Sequence, residues 1–284
     1  MSALAAERDA FAAAHPERVE SLGGRRWGVL DLPGEGPVLL LCPGTLGRAD
    51  VFWRLMTRLR GRVRTLAVTY PASHDLGAWA DDLARLLDRR GIARATVLGS
   101  SLGGYLAQVV AGRHGERVEA LVAANTLSDV APLADRPPYA GDVARTPLAA
   151  LREGFARGLR AYAEAEPDAA ELMALLLQDA EGRIPGRHLR ARIAALKLAP
   201  PVPKIVASPE RVHVIESEDD PLIPEPVRAA VRARLAPGTV WRFRKGGHFP
   251  YVSRPDLYAA AVEEALGLTA PGAGPWGGGA LRVR

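Results

Sequence analysis

Cysteine is almost missing from this chain. Cys42 stands alone among 284 residues, so no internal disulfide can form and a reducing compartment fits. Lysine is scarce as well, with only Lys197, Lys204 and Lys245 among 37 basic residues. The formal net charge of +5 therefore comes from arginines scattered among Ala, Gly, Pro and Asp, without the clustered stripe that a nucleic-acid surface needs. No nucleic-acid partner is expected. No apolar run reaches the roughly 18 residues of a membrane-spanning helix, so no membrane span is expected either. The opening MSALAAERDAFAAAHPERVE carries acids and bases early and lacks the apolar core of a secretory signal, which makes a cytoplasmic location the expectation.

Short apolar runs punctuate the chain at intervals suited to strand–helix units: VLLLC (38–42), RTLAVTY (64–70), ATVLGS (95–100), EALVAAN (119–125), RVHVIES (211–217) and TVWRFRK (239–245). They are mostly continuous and rich in Val and Leu, as strands buried on both faces of a parallel sheet are. Helical patterns lie between them. In DLGAWADDLARLLDRRG, Trp79, Leu83, Leu86 and Leu87 share one face and Gly91 closes the end; DVFWRLMTRLRG reads as a helix capped by Asp50. EPVRAAVRARLAPG and RPDLYAAAVEEALG supply two more. This alternation predicts an α/β fold with a mainly parallel central sheet flanked by helices.

Residues 129–203 break the pattern, with helices, many prolines and no convincing strand, and are expected to form a helical cap over the sheet. Residues 25–128 and 204–268 then make the core, with an edge hairpin at 25–36. Residues 1–24 read as a helical extension, and the Gly-rich 269–284 as a disordered tail.

The stretch VLGSSLGGYLAQ (97–108) puts Gly99-Ser100-Ser101-Leu102-Gly103 between a strand and a helix, satisfying G-x-S-x-G in the setting of a nucleophile elbow. Gly99 and Gly103 lack side chains where neighbouring backbone approaches, and Ser101 stands at the apex. A serine hydroxyl needs a base, and the base needs an acid to orient it. Of six histidines, His213 lies inside an apolar strand and His114 ends the helix after the elbow, while His15, His74 and His188 have no supporting signal. His248 follows the last strand and the flexible Gly246-Gly247 pair, which makes it the candidate base. The acid should end an earlier strand. Asp220 is preferred in the run Glu218-Asp219-Asp220-Pro221, with Asp219 as the alternative. The N–H groups of Leu102 and of Thr45, with Leu46 as alternative to the latter, are the candidate oxyanion donors.

Together these residues resemble the α/β-hydrolase superfamily from about Arg25 to Leu268. Within it, CPGTLGRADVFWRLM, GSSLGGYLAQ, VEALVAANTLSDVAPL and KGGHFPYVSRP are most similar to the maspardin-like group, the phrase L-V-x-x-N-x-x-S-D being the more specific part. The resemblance implies an α/β-hydrolase fold with a helical cap and a serine hydrolase acting through Ser101, Asp220 and His248. It departs at His248, where maspardin carries asparagine and is described as a binding protein. Hydrolysis of an ester or related acyl bond in a small, fairly apolar substrate is the leading expectation, with no metal or organic cofactor. A carbon–carbon bond or lactone hydrolase and a non-catalytic interaction module are the alternatives, and the sequence is compatible with a homodimer.

Overall fold

The computed structural model describes residues 2–283, with Met1 and Arg284 outside it. Helix α1 (Ala3–Ala14) leads into a hairpin of β1 (Arg18–Leu22) and β2 (Arg25–Leu32), turned by Gly23 and Gly24 at φ +53° and +79°. Strand β3 (Val38–Cys42) is followed by a 3₁₀ turn and α2 (Trp53–Leu59), β4 (Arg64–Thr69) by α3 (Leu76–Arg89), and β5 (Ala95–Ser100) by α4 (Leu102–Arg113). After β6 (Val118–Ala124) the chain passes through α5 (Leu148–Ala165), α6 (Ala170–Gln178) and α7 (Gly186–Lys197) before returning as β7 (Val212–Ser217). Helix α8 (Glu225–Leu235), β8 (Thr239–Phe243), the short α9 (Pro250–Ser253), α10 (Pro255–Ala265) and β9 (Ala280–Val283) complete the order.

Among the described residues, nine strands form one sheet in the order β1-β2-β4-β3-β5-β6-β7-β8-β9. The run from β4 to β8 pairs in parallel, while β1, β2 and β9 are antiparallel to their neighbours. Leu39 and Leu41 pack on one face with Leu98, Val122 and Ile215; Leu40 and Cys42 pack on the other with Val97, Leu121 and Val214. Both faces are covered by helices, and this is why the strand sequences are continuous rather than alternating. Because the central strands run the same way, the turns after β3, β5, β6, β7 and β8 all emerge at one edge.

The face foreseen on α3 is the buried one, with Trp79, Leu83, Leu86 and Leu87 at 1% exposure or less. Asp75 caps its start by accepting from the Ala78 N–H at 2.9 Å. From the same helix the fully buried Asp82 accepts from Arg25 Nε at 2.6 Å and Trp27 Nε1 at 2.9 Å, tying the hairpin to α3.

Four sequence expectations are corrected. The hairpin spans 18–32 rather than 25–36, because the paired glycines make the tight turn one strand earlier. Residues 1–24 therefore hold a strand as well as a helix. Asp50 does not cap α2; it lies within the 3₁₀ turn Ala49–Phe52, and its carboxylate pairs with Arg183. The tail is ordered at Ala280–Val283, which pair with β8, and Trp276 packs 6.3 Å from Trp241. The last residue of that tail, Arg284, is outside the described residues.

His213 is held inside β7 against Trp241, with ring centroids 5.3 Å apart. Burial brings its pKa down to about 4, opposed by Glu264. The unfolded chain protonates this ring near pH 6.5, before the folded protein does, so stability is full above about pH 6.5 and falls as the pH drops toward about 4. The loss expected is on the order of 3 kcal/mol at pH 4. Urea unfolding of the wild type and of His213→Gln at pH 7.5 and pH 4 should show a smaller pH dependence in the variant by that amount.

Candidate active site

Ser101 sits at the crossing of β5 into α4 with φ 56° and ψ −120°, a conformation that side-chain-bearing residues rarely adopt. Its neighbours make the crossing possible. A methyl group at Gly99 would fall on the Gly103 carbonyl oxygen, and one at Gly103 on the Cys42 carbonyl oxygen, both far inside contact distance. Two hydrogen bonds hold the apex: Ser101 N–H donates to the Ala124 carbonyl at 3.0 Å, and Thr126 Oγ1 donates to the Ser101 carbonyl at 2.6 Å. The side chain is half-buried and points from the start of α4, whose first N–H groups have no acceptor inside the helix.

The turns after β7 and β8 bring the other two candidates together. His248 Nδ1 lies 3.0 and 2.9 Å from the two Asp220 oxygens, with both residues 4% exposed. In the neutral ring Nδ1–H donates to the carboxylate, which leaves the Nε2 lone pair free. Asp220 Oδ1 also accepts from the Leu222 and Ile223 N–H groups at 2.9 and 3.1 Å, and Oδ2 from Asn125 Nδ2 at 2.9 Å. Burial alone raises the Asp220 pKa. The His248 charge and its hydrogen bond, with those from Asn125 and Leu222, outweigh that and hold the carboxyl below its ordinary value.

Asp219 has a different task. Its Oδ1 accepts from the Gly246 and Gly247 N–H groups, each at 2.9 Å, and so shapes the turn that carries His248. Geometry thus pairs Asp220, and not Asp219, with the histidine. Ser101 is the member left unjoined: among the described residues its Oγ makes no hydrogen bond to His248.

The loop after β3 reaches Ser101 from the other side. A Cβ on Gly44 would stand 3.3 Å from Ser101 Cβ. The Gly47 N–H donates to the Gly44 carbonyl at 3.0 Å, closing a tight turn around Thr45 and Leu46. Among the described residues neither Thr45 N–H nor Leu46 N–H donates to a protein acceptor, so the loop donor foreseen, Thr45, and its alternative, Leu46, are both free. Residues between β6 and β7 approach from above. Tyr162 Oη lies 3.0 Å from the position of a Cβ on Gly247, and Phe155 and Leu159 of the same helix pack against the sheet's apolar cluster together with Phe249.

Asn125 was not foreseen as a site residue. It follows β6 with φ 41°, and its side-chain amide donates to Ser217 Oγ at 3.2 Å, Asp220 Oδ2 at 2.9 Å and the Gly247 carbonyl at 3.2 Å. One amide group thereby joins three of the turns. The signal was present, since Asn125 is the asparagine of the phrase L-V-x-x-N-x-x-S-D. Among the described residues no group of three or more His, Cys, Asp or Glu side chains is placed to hold a metal ion. A cleft of about 720 Å³ does occur elsewhere, lined by Glu20, Asp31, Arg64 and Arg90 beside the β1–β2 hairpin, but those charges pair with one another and none of the site residues lines it.

Residues 39–261 match the family described as the alpha/beta hydrolase family. RutD of Caulobacter sp. (strain K31), named as a carbamate hydrolase, is 30% identical over 241 residues, which are 76% of this chain and 86% of RutD. Maspardin of Homo sapiens is 36% identical over a shorter match of 94 residues, 32% of this chain and 30% of maspardin. Among solved structures, the enol-lactonase from Burkholderia xenovorans LB400 aligns with a TM-score of 0.73 over 88% of this chain and 100% of that one; at 18% identity the likeness is one of fold.

The elbow's tolerance can be measured directly. Gly103→Ala drives a methyl group into the Cys42 carbonyl and should lower stability by about 3 kcal/mol or more. Gly115→Ala, which meets nothing within 4 Å, should change it by less than about 0.5 kcal/mol. Thermal unfolding of the two variants beside the wild type checks this.

Proposed function

Since the chain belongs to the α/β-hydrolase family, we propose that it cleaves an ester or related acyl bond of a small, fairly apolar substrate, with Ser101 as nucleophile, His248 as base and Asp220 as orienting acid. The observation that carries this reading is the buried His248–Asp220 hydrogen bond, formed at the sheet edge where Ser101 is held in its strained turn. Contacts between nucleophile and base often tighten only in the substrate complex, so the open Ser101–His248 contact is compatible with it.

Ser101 Oγ attacks the acyl carbon while its proton passes to His248 Nε2. The carbonyl π electrons move onto oxygen, and the N–H groups of Leu102 and Thr45, or of Leu46 in place of Thr45, stabilise the oxyanion at the start of α4. The tetrahedral intermediate collapses, and the leaving group departs with the proton from His248. Water, deprotonated by the same nitrogen, then releases the acid and restores Ser101. Asp220 stays ionised throughout and stabilises the imidazolium, which matches the lowered carboxyl pKa.

The match to RutD over most of both chains favours including carbamates among the acyl bonds tested. Aromatic side chains from the helical insertion, Phe155 and Tyr162, support a fairly apolar substrate.

A fluorophosphonate probe should label Ser101 alone, and both Ser101→Ala and His248→Ala should abolish labelling in mass spectrometry. Labelling that persisted in His248→Ala would remove the histidine from the role of base. On a panel of short and medium acyl esters and a carbamate, Asp220→Asn should lower kcat by roughly 10³–10⁴-fold. Asp219→Asn should change it less than about threefold, because an amide oxygen can still accept from Gly246 and Gly247. Turnover on every member of the panel no higher than that of the Ser101→Ala protein would replace the hydrolase reading with a non-catalytic interaction module.

A further inference from the structure

Arg192 of α7 is 1% exposed, and among the described residues no carboxylate pairs with it. A buried guanidinium that touches no carboxylate, with Asp179 and Glu17 acting on it only from a distance, is costly and needs a local reason. Burial lowers its pKa to about 10, Arg48 acting in the same direction, and this leaves it a cation at neutral pH. Its Nε has no partner. One nitrogen, Nη1, does the bonding, donating to the Thr45 carbonyl at 3.1 Å and to the Gly47 carbonyl at 2.7 Å. The guanidinium carbon lies 5.5 Å from the centre of the Tyr70 ring, and Tyr70 Oη in turn donates to the Pro43 carbonyl at 2.6 Å.

The direction of these bonds matters more than their number. In a trans peptide the carbonyl and the N–H point to opposite sides. The carbonyl of Thr45 belongs to the same peptide as the N–H of Leu46, so fixing that oxygen on Arg192 turns the Leu46 N–H away from α7. Both carbonyls of the turn that point toward the insertion are thus claimed by one cation, and the Pro43 carbonyl before them by Tyr70. The loop has few other ways to hold its orientation, since it carries Gly44 and Gly47 within five residues.

We propose that Arg192 is a positioning residue for the oxyanion hole: seated in the helical insertion, it holds the Thr45–Gly47 carbonyls on its side of the loop and so presents the loop's free N–H groups to the acyl oxygen at Ser101. The inference rests on the hydrolase reading of Ser101 and extends it, because it makes competence of the hole depend on how α7 is docked. Of the two loop donors it favours the Leu46 N–H, the alternative to Thr45, as the one whose direction Arg192 sets. His188, one turn earlier on α7, braces the same region through Nδ1 on the Tyr70 carbonyl at 3.0 Å without touching the loop itself.

The test compares wild type with Arg192→Met, which fills the space without donors, and Arg192→Lys, whose ammonium can donate to both carbonyls. Arg192→Gln, too short to span both carbonyls, takes the place of the methionine variant if that one does not fold. Two readouts are taken. The first is kcat and KM on a p-nitrophenyl ester, normalised to the sites that a fluorophosphonate titrates at completion. Loss of one oxyanion donor lowers kcat by about 10²–10³-fold, so a donor left in place but loosely held should cost about 10–100-fold. KM should stay within threefold, and Arg192→Lys should recover most of the loss. The second is hydrogen exchange of the peptide covering residues 43–48, which should quicken in Arg192→Met and be restored in Arg192→Lys. Normal kcat per titrated site in Arg192→Met, even with a lowered melting temperature, would reduce Arg192 to packing and overturn the inference. Unchanged exchange of the loop would overturn it as well. The exchange readout needs no turnover, and failure of the hydrolase reading shows separately, as wild-type turnover equal to that of Ser101→Ala.

Discussion

Everything at the site descends from one steric constraint, the near contact of three backbone segments at Gly99, Gly103 and the carbonyl of Cys42. The start of α4 must pass close enough to β3 and β5 that no Cβ fits at either glycine. That closeness does three things together. It forces Ser101 into a positive φ, which lifts the hydroxyl clear of the sheet. It brings the free N–H groups of the helix start to the place where Ser101 projects. It also sets the loop after β3 against Ser101, where a Cβ on Gly44 would crowd the serine Cβ at 3.3 Å.

On the opposite flank the arrangement relies on polarity rather than on steric fit. The turns after β6, β7 and β8 are long and irregular, and hydrogen bonds fasten them to one another. Asn125 reaches three of their groups, Asp219 takes two N–H groups of the His248 turn, and Asp220 takes two N–H groups of its own turn besides the histidine. Adjacent acids thus divide the work, one shaping the backbone and one facing the ring. A carboxylate so well supplied with donors stays ionised despite its burial.

The sheet was legible in the sequence because its strands are buried on both faces, and continuous runs such as VLLLC and ATVLGS have no other common explanation in a chain of this kind. The elbow was legible because glycine spacing writes backbone proximity directly into the sequence. Neighbouring acids were harder to tell apart: Asp219 and Asp220 differ only in the direction each side chain takes from an irregular turn, and composition does not encode that. The choice between Thr45 and Leu46 turns on a peptide orientation that neither side chain encodes; the residue that sets it, Arg192, lies 147 positions away from Thr45. Distance along the chain explains the misreading of Asp50 too, since its partner Arg183 is 133 residues distant. The Gly-rich tail hid a four-residue strand whose only signal is its pairing with β8. At the other edge the Gly23-Gly24 turn was a readable hairpin signal, obscured by the helix-like composition before it.

The way α1 is anchored has a consequence for biogenesis. Arg8 is almost wholly buried, yet its partners are Asp9 beside it and Gln178, 170 residues later, with Asp179 at 3.7 Å. The helix leaves the ribosome long before α6, and during that interval its apolar side, including Ala5 and Phe11, is covered only in part, by the 3₁₀ turn Ala49–Phe52 and α2, where Arg54 pairs with Glu7. Closing a loop of that length is entropically costlier than docking on α2, so α1 completes its contacts only after α6 is made. In a nascent chain α1 therefore stays partly open to chaperones and proteases until α6 has emerged and docked against it.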